Sequence, residues 1–236
     1  MFDAAESPTE SAPSPLLCAG GSQPATSHRL ESLLSGLPLQ RRRLRSRQYV
    51  FHAGQPRQHL YLVHAGFFKT CLGSEDGRER ITGFRMRGDL LGIDSLDLAS
   101  HSCDAVALDF GEVWEIPVAQ LQNGLPGFQE CLTAALANEI RRDWSWMLAL
   151  ATLNAEQRVV TFLLDFAVQM ERLGFSPRCL LLRMSRADLA NFLSLQLETV
   201  ARVLSRLQGR GLIDVARREI RIEDRAGMLA LLSGLH

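Results

Sequence analysis

The sequence predicts an α+β protein in three parts: a β-rich first half, a long helix, and a small helical unit ending in a short β-ribbon. Three observations predict it. Between residues 39 and 117, short apolar runs alternate with Gly-containing turns, the pattern of a β-sandwich, jelly roll or barrel. From Leu132 to Ala151, apolar residues recur at steps of three and four, one face of a helix for about six turns. After residue 185, two short amphipathic patterns are separated by three residues and followed by two short β-patterned runs.

Composition narrows the function classes. A chain of 236 residues fits one or two domains. Apolar residues make up 46% and charged residues 22%, which excludes a disordered or collagen-like chain. No run approaches the ~20 apolar residues of a membrane span, and the first 20 residues lack the basic start and apolar core of a secretory signal. The expectation is a cytoplasmic protein with no membrane partner. Cysteines at 18, 71, 103, 131 and 179 show no C-x-x-C spacing, which argues against a disulfide scaffold or zinc finger and for reduced thiols. The 26 basic and 26 acidic residues cancel, and Lys69 is the only lysine.

Taken in order, residues 1–27 are rich in Ser, Pro, Ala, Thr and Gly and read as a flexible tail. Leu30, Leu33 and Leu34 share one face of a short helix over 28–36, which Gly36 and Pro38 stop. Strands are expected at 48–52, 60–64, 67–72, 80–84, 104–109 and 113–116, with a turn through Glu75-Asp76-Gly77. A sensor-like β domain thus fills 28–126. The long helix, 127–153, carries Leu132, Leu136, Ile140, Trp144, Met147 and Ala151 as a narrow stripe, suited to pairing with a second copy. A second helix over 155–173 follows and ends at Gly174-Phe175-Ser176-Pro177.

The C-terminal unit, 154–236, carries the chemistry. Ser185 and Asp188 form a capping-box variant that opens a helix over 186–193. Ser194-Leu195-Gln196 is a turn. A second helix over 197–208 buries Val200, Val203, Leu204 and Leu207, and short strands over 212–216 and 219–222 are joined at Arg217-Arg218. Helix, three-residue turn, helix and β-ribbon is a winged helix-turn-helix. Glu198 and Arg202, four apart, share a side near the start of the second helix, the end that enters a major groove. Arg binds guanine O6 and N7 in bidentate fashion and Glu accepts from cytosine N4, each pair giving about 1–3 kcal/mol of discrimination. The alternative is an intrahelical Glu198–Arg202 ion pair on a solvated surface, worth ~0.3–0.5 kcal/mol. Ser185, Thr199, Arg206, Arg210, Arg217 and Arg218 are candidate phosphate contacts, which fix register. Residues 176–221 hold nine Arg against four acidic residues.

Several segments point the same way: Ile81-Thr82-Gly83-Phe84, Gly88-Asp89-Leu90-Leu91-Gly92, Asn154-Ala155-Glu156-Gln157-Arg158, Gly174-Phe175-Ser176-Pro177-Arg178 and Glu198-Thr199-Val200-Ala201-Arg202. With them the chain resembles the Crp/Fnr family of bacterial transcription regulators over roughly 28–233, and most of all the Fnr branch. The resemblance implies an N-terminal β-roll related to cyclic-nucleotide-binding domains, a dimerisation helix and a C-terminal winged helix-turn-helix. It implies a homodimeric regulator, an activator, that reads a TTGAT-N4-ATCAA palindrome through a Glu-x-x-Ser-Arg motif. Ala201 stands where that motif has Ser, which puts the outer bases of the half-site in doubt. RNA polymerase is an implied partner, with an Arg80–Asp89 loop as its candidate contact.

The resemblance also bears on cofactors, and none is expected. An Fnr-type [4Fe–4S] cluster needs four thiolates, whereas Cys18 alone matches the N-terminal set and Val113 occupies the position of the roll cysteine. The cyclic-nucleotide cassette is replaced by Gly92-Ile93-Asp94-Ser95 and Cys103-Asp104-Ala105; a pocket with Asp94 and no Arg repels a phosphate. Haem stays open as an alternative, with His52, His59, His64 or His101 as axial ligand. The rival function is a ligand- or redox-sensing module that acts through protein partners. No nucleophile–base pair, Gly-rich phosphate loop or metal-ligand spacing points to an enzyme.

Overall fold

A computed structural model describes residues 24–73, 77–119 and 126–233. Most of the expected tail, Cys18, and the Glu75-Asp76 turn lie outside the described residues. Helix α1 (Pro24–Ser35) begins four residues earlier than the leucine pattern indicates, and buries Leu30 and Leu34.

Among the described residues, eight strands build the roll: β1 (Gln40–Leu44), β2 (Tyr49–Phe51), β3 (His59–Ala65), β4 (Phe68–Gly73), β5 (Glu79–Arg85), β6 (Leu90–Leu91), β7 (Asp104–Ala107) and β8 (Gly111–Pro117). They form two four-stranded sheets, β1-β8-β3-β6 and β2-β7-β4-β5. Phe51, Tyr61, Val63, Phe68 and Val113 fill the core between them. The sequence pattern shows neither β1, whose Gln-Arg-Arg-Arg run is polar and pairs only with β8, nor the two-residue β6. The strand at 104 ends at Ala107, short of Asp109. The Arg80–Asp89 loop is corrected: most of it is strand β5, and Arg85 and Asp89 are buried.

Helix α2 (Phe128–Thr152) starts after Gly127 and runs along the roll. Its first turns pack on α1, so Leu132 is buried inside its own domain and Leu136 is half-buried beside it. Leu132 is thereby taken up by the chain's own core, while Leu136 keeps part of its surface exposed. Farther along, Ile140, Trp144 and Met147 are 47%, 64% and 65% exposed, and Ala151 is exposed too.

Asn154 caps α3 (Ala155–Arg172) through a reciprocal pair with Gln157. Gly174, in the left-handed region, ends it, while the Phe175 N–H reaches the Met170 carbonyl. Strand β9 (Cys179–Leu181), α4 (Arg186–Phe192), α5 (Leu197–Gly209), β10 (Ile213–Ala216) and β11 (Glu219–Ile222) follow. The wing is a three-stranded sheet, β10-β11-β9, rather than a ribbon of two. A last helix, α6 (Arg225–Ser233), was not foreseen and buries Met228 and Leu232.

One apolar core spans the roll and the C-terminal unit. Ile81, Phe84 and Met86 of the roll join Phe162, Phe166, Phe192 and the buried residues of α5. Phe84 meets Phe192 edge-on at 5.2 Å between ring centroids, and Trp146 of α2 meets the same ring at 4.8 Å. Trp146 therefore belongs to this core and not to the exposed seam.

Candidate nucleic-acid interface

Helix α5 is amphipathic in the sense the site requires. Val200, Val203, Leu204 and Leu207 are buried, each contributing about 1.5–3 kcal/mol on leaving water. That burial fixes the rotation of the helix and turns the opposite face outward. Glu198, Ala201 and Arg202 are exposed on it, with Thr199 half-buried at its edge. Neither the Glu198 nor the Arg202 side chain has a hydrogen bond or ion pair with another described residue. The alternative of an intrahelical pair thus has no support in the geometry, and both side chains are open to a ligand. Gln196 precedes the helix without a side-chain cap, leaving first-turn N–H groups for an anion.

The helix is aimed by its partner. Ser185 caps α4: its hydroxyl accepts from the Asp188 N–H at 3.0 Å, while Asp188 Oδ2 accepts from the Ser185 N–H at 2.9 Å and from its hydroxyl at 2.6 Å. The Ser185 hydroxyl is thereby engaged in the cap. Ser194 holds φ 56° in the turn, an uncommon conformation for a residue with a Cβ, and the Leu195 N–H reaches back to the Ala190 carbonyl.

The candidate phosphate contacts lie around this face. Arg206, Arg210, Arg217 and Arg218 are all exposed. Arg217 sits at φ 55° in the wing turn, and its carbonyl accepts from Arg186. Beside α5, a cleft of about 420 Å3 is lined by Asn154, Glu156, Thr199, Arg202 and Arg206. Glu156 was not singled out from sequence as part of this surface, yet its carboxylate stands within ion-pair distance of both Arg206 and Arg210. Its position at the start of a capped helix was the available signal.

A second cavity, about 370 Å3, lies between the roll and α2. Thr70, Thr82, Arg85, Asp94, Cys103, Glu139 and Asp143 are among its walls. The expectation of a pocket without Arg is corrected: Arg85 enters from β5, its guanidinium packed where a side chain on Gly83 would stand. It is ion-paired with Glu139, and Asp94 and Asp143 add negative charge. Burial opposes the charge on Arg85, but Glu139 and Asp89 hold it. Burial pushes the Cys103 thiol up to about 12.

The remaining candidate ligands scatter. Cys71, Cys103 and Cys131 are buried in three different core clusters, and among the described residues no group of three or more His, Cys, Asp or Glu is placed to hold a metal. His64 bonds Glu31 at 2.9 Å, His52 lies 3.5 Å from Asp104, and His59 tilts against Tyr61. His101 is buried, stacked on Phe51 at 3.7 Å, and neither ring nitrogen has a hydrogen-bond partner. Burial lowers its pKa.

With the fold and this surface in view, comparison with known proteins is direct. The Crp-like helix-turn-helix domain matches residues 157–231, and the cyclic nucleotide-binding domain matches residues 41–125. The fumarate and nitrate reduction regulatory protein of Escherichia coli (strain K12) is 35% identical over 190 residues, 79% of this chain and 76% of that one. The transcriptional activator protein anr of Pseudomonas aeruginosa is 34% identical over 196 residues, 82% of this chain and 80% of that one. The structure of FixK2 from Bradyrhizobium japonicum superposes with a TM-score of 0.75 at 29% identity, covering 83% of this chain and 98% of that one. No helix among the described residues is long and apolar enough to cross a membrane. The chain is a DNA-binding transcription regulator, and it belongs to the Crp/Fnr family, a family of regulators rather than enzymes.

Proposed function

We propose that the chain acts in the cytoplasm as a homodimer that reads a TTGAT-N4-ATCAA-type palindrome and activates transcription through contact with RNA polymerase. The observation that carries the base-reading claim is the pair Glu198 and Arg202: exposed, unpaired, and one helical turn apart at the leading end of α5. Arg202 would take a guanine and Glu198 the cytosine amino group. Ala201 supplies only a methyl group, which suits a thymine methyl and leaves the outer positions less strictly read. Arg206, Arg210, Arg217, Arg218, Thr199 and an N–H near Ser185 would meet phosphates. The exposed apolar face of α2 at Ile140, Trp144, Met147 and Leu148 supports the dimer. Two recognition helices would then lie about 34 Å apart, in successive major grooves.

The activity needs no cofactor in this reading. In support of this reading, the buried cysteines among the described residues fall in three separate clusters, and three carboxylates around Arg85 disfavour a cyclic phosphate in the roll cavity. Fluorescence anisotropy tests the proposal: a labelled palindrome is compared with a scrambled duplex at physiological salt. Preference for the palindrome is expected; equal affinity overturns it.

The roll cavity is the observation that favours a second reading, a ligand- or redox-sensing module, haem or thiol, that acts through protein partners. An absorption spectrum of anaerobically purified protein separates the two. A strong chromophore together with no DNA affinity would favour the module.

A further inference from the structure

Strand β5 is an outer strand of the sheet β2-β7-β4-β5, so one row of its backbone groups has no strand to pair with. At residues 79 to 81 that row is filled by a side chain from the DNA-binding unit. The Ile81 N–H donates to Asn191 Oδ1 at 2.8 Å, and Asn191 Nδ2 donates to the Glu79 carbonyl at 2.7 Å. The amide completes the strand edge as a neighbouring strand would. The primary amide suits this edge because it carries a donor and an acceptor side by side on one planar head.

Two further ties flank it. Lys69 of β4 bridges Glu79 at 2.7 Å and Asp188 at 3.0 Å, and Arg80 donates to the Ser194 hydroxyl. The roll thus grips residues 188, 191 and 194, at steps of three: one side of α4 and the turn that leads into the recognition helix. All three ties leave the exposed face of α5 uncovered.

We propose that Asn191 is a positioning residue for DNA binding: it fixes the pose of the helix-turn-helix on the roll, and so the angle at which a dimer presents its two recognition helices. This rests on the dimeric, palindrome-reading function proposed above. A loosened pose weakens binding only where two helices must engage together; a single half-site does not sense it.

The test compares full-length wild type, Asn191→Ala and Arg80→Ala on the palindrome and on a duplex with one half-site, at low salt where both bind. Asn191→Ala is expected to lose about tenfold on the palindrome, which is ~1.4 kcal/mol, and less than about twofold on the half-site. Arg80→Ala, which leaves the helix-turn-helix sequence intact, is expected to show the same split at smaller size, and decides the matter if Asn191→Ala does not fold. Unchanged palindrome affinity, or equal losses on both duplexes, would overturn the proposal. Wild type that does not prefer the palindrome would instead overturn the base-reading function on which the proposal rests.

Discussion

The carboxylate of Glu156, in the first turn of α3, lies 3.7 Å from the guanidinium of Arg210. It also lies 3.8 Å from Arg206, and its Oε1 makes no hydrogen bond. Two of the proposed phosphate-contacting cations are therefore loosely held by one internal anion, which a phosphate would have to displace. Glu156→Gln is expected to tighten binding to any duplex and to steepen the fall of log K with log salt by up to ~0.9. The ratio of palindrome to scrambled affinity should stay constant. A titration across salt concentrations checks this; a flatter slope would contradict it.

Arg202 and Arg217 should separate cleanly. Removing a base-reading Arg costs roughly 1–3 kcal/mol and relaxes preference at one position. Arg202→Ala is expected to do this, whereas Arg217→Ala should weaken all sequences alike. Binding to palindromes substituted one base pair at a time measures the difference.

Trp144 and Met147 are about two-thirds exposed on α2. A glutamate in place of Trp144 would set a charge in an apolar seam, where an unpaired charge is costly. Sedimentation should show Trp144→Glu as a monomer with its palindrome affinity lost and its helix content retained. A dimer of unchanged stability would rule out this seam.

Asp165 lies buried where α2, α3, α4 and β5 meet; Arg142 and Asp143 line the same small cavity. Its Oδ2 accepts from Gln169 at 2.6 Å, while Oδ1 has no partner. Burial, opposed by Gln169 and Arg172, pushes its carboxyl from 3.8 up to about 7. Between those values the folded chain keeps a proton that the unfolded chain has lost. Stability therefore falls as pH rises through this window, by about 1.4 kcal/mol per pH unit at most, and levels off above it. Asp165→Asn removes that loss. Its Tm should match wild type near pH 4 and exceed it at pH 8. Asp89, also pushed up to about 7 by burial, is present in both proteins and cancels in the difference.

Much of the DNA-binding unit was legible in the sequence because its physics is local. Val200, Val203, Leu204 and Leu207 mark a helix face by spacing alone, and Ser185 with Asp188 marks a cap; both are as expected. Strand β1 was not legible, since Gln40-Arg41-Arg42-Arg43 owes its strand conformation to pairing with β8, some 70 residues on. Arg85 reads as an ordinary charged residue until the fold turns it into the cavity. Asn191 gave no signal either: its partners are the backbone of residues 110 and 112 positions earlier, and a main-chain group carries no mark in a sequence. The apolar face of α2 was half legible, because spacing identifies such a face but not which part of it α1 already covers.

A chain with one lysine offers amine chemistry one side-chain address, and here that address is the joint between the roll and the reading head. The Lys69 side chain is only 16% exposed, and its ammonium is held between Glu79 and Asp188, which raises its pKa despite burial. An acylating reagent would find this amine shielded and protonated while the joint is closed, and more reactive each time it opens. The rate of its modification is thus a clock for the opening of the joint, read at one position without any engineered label.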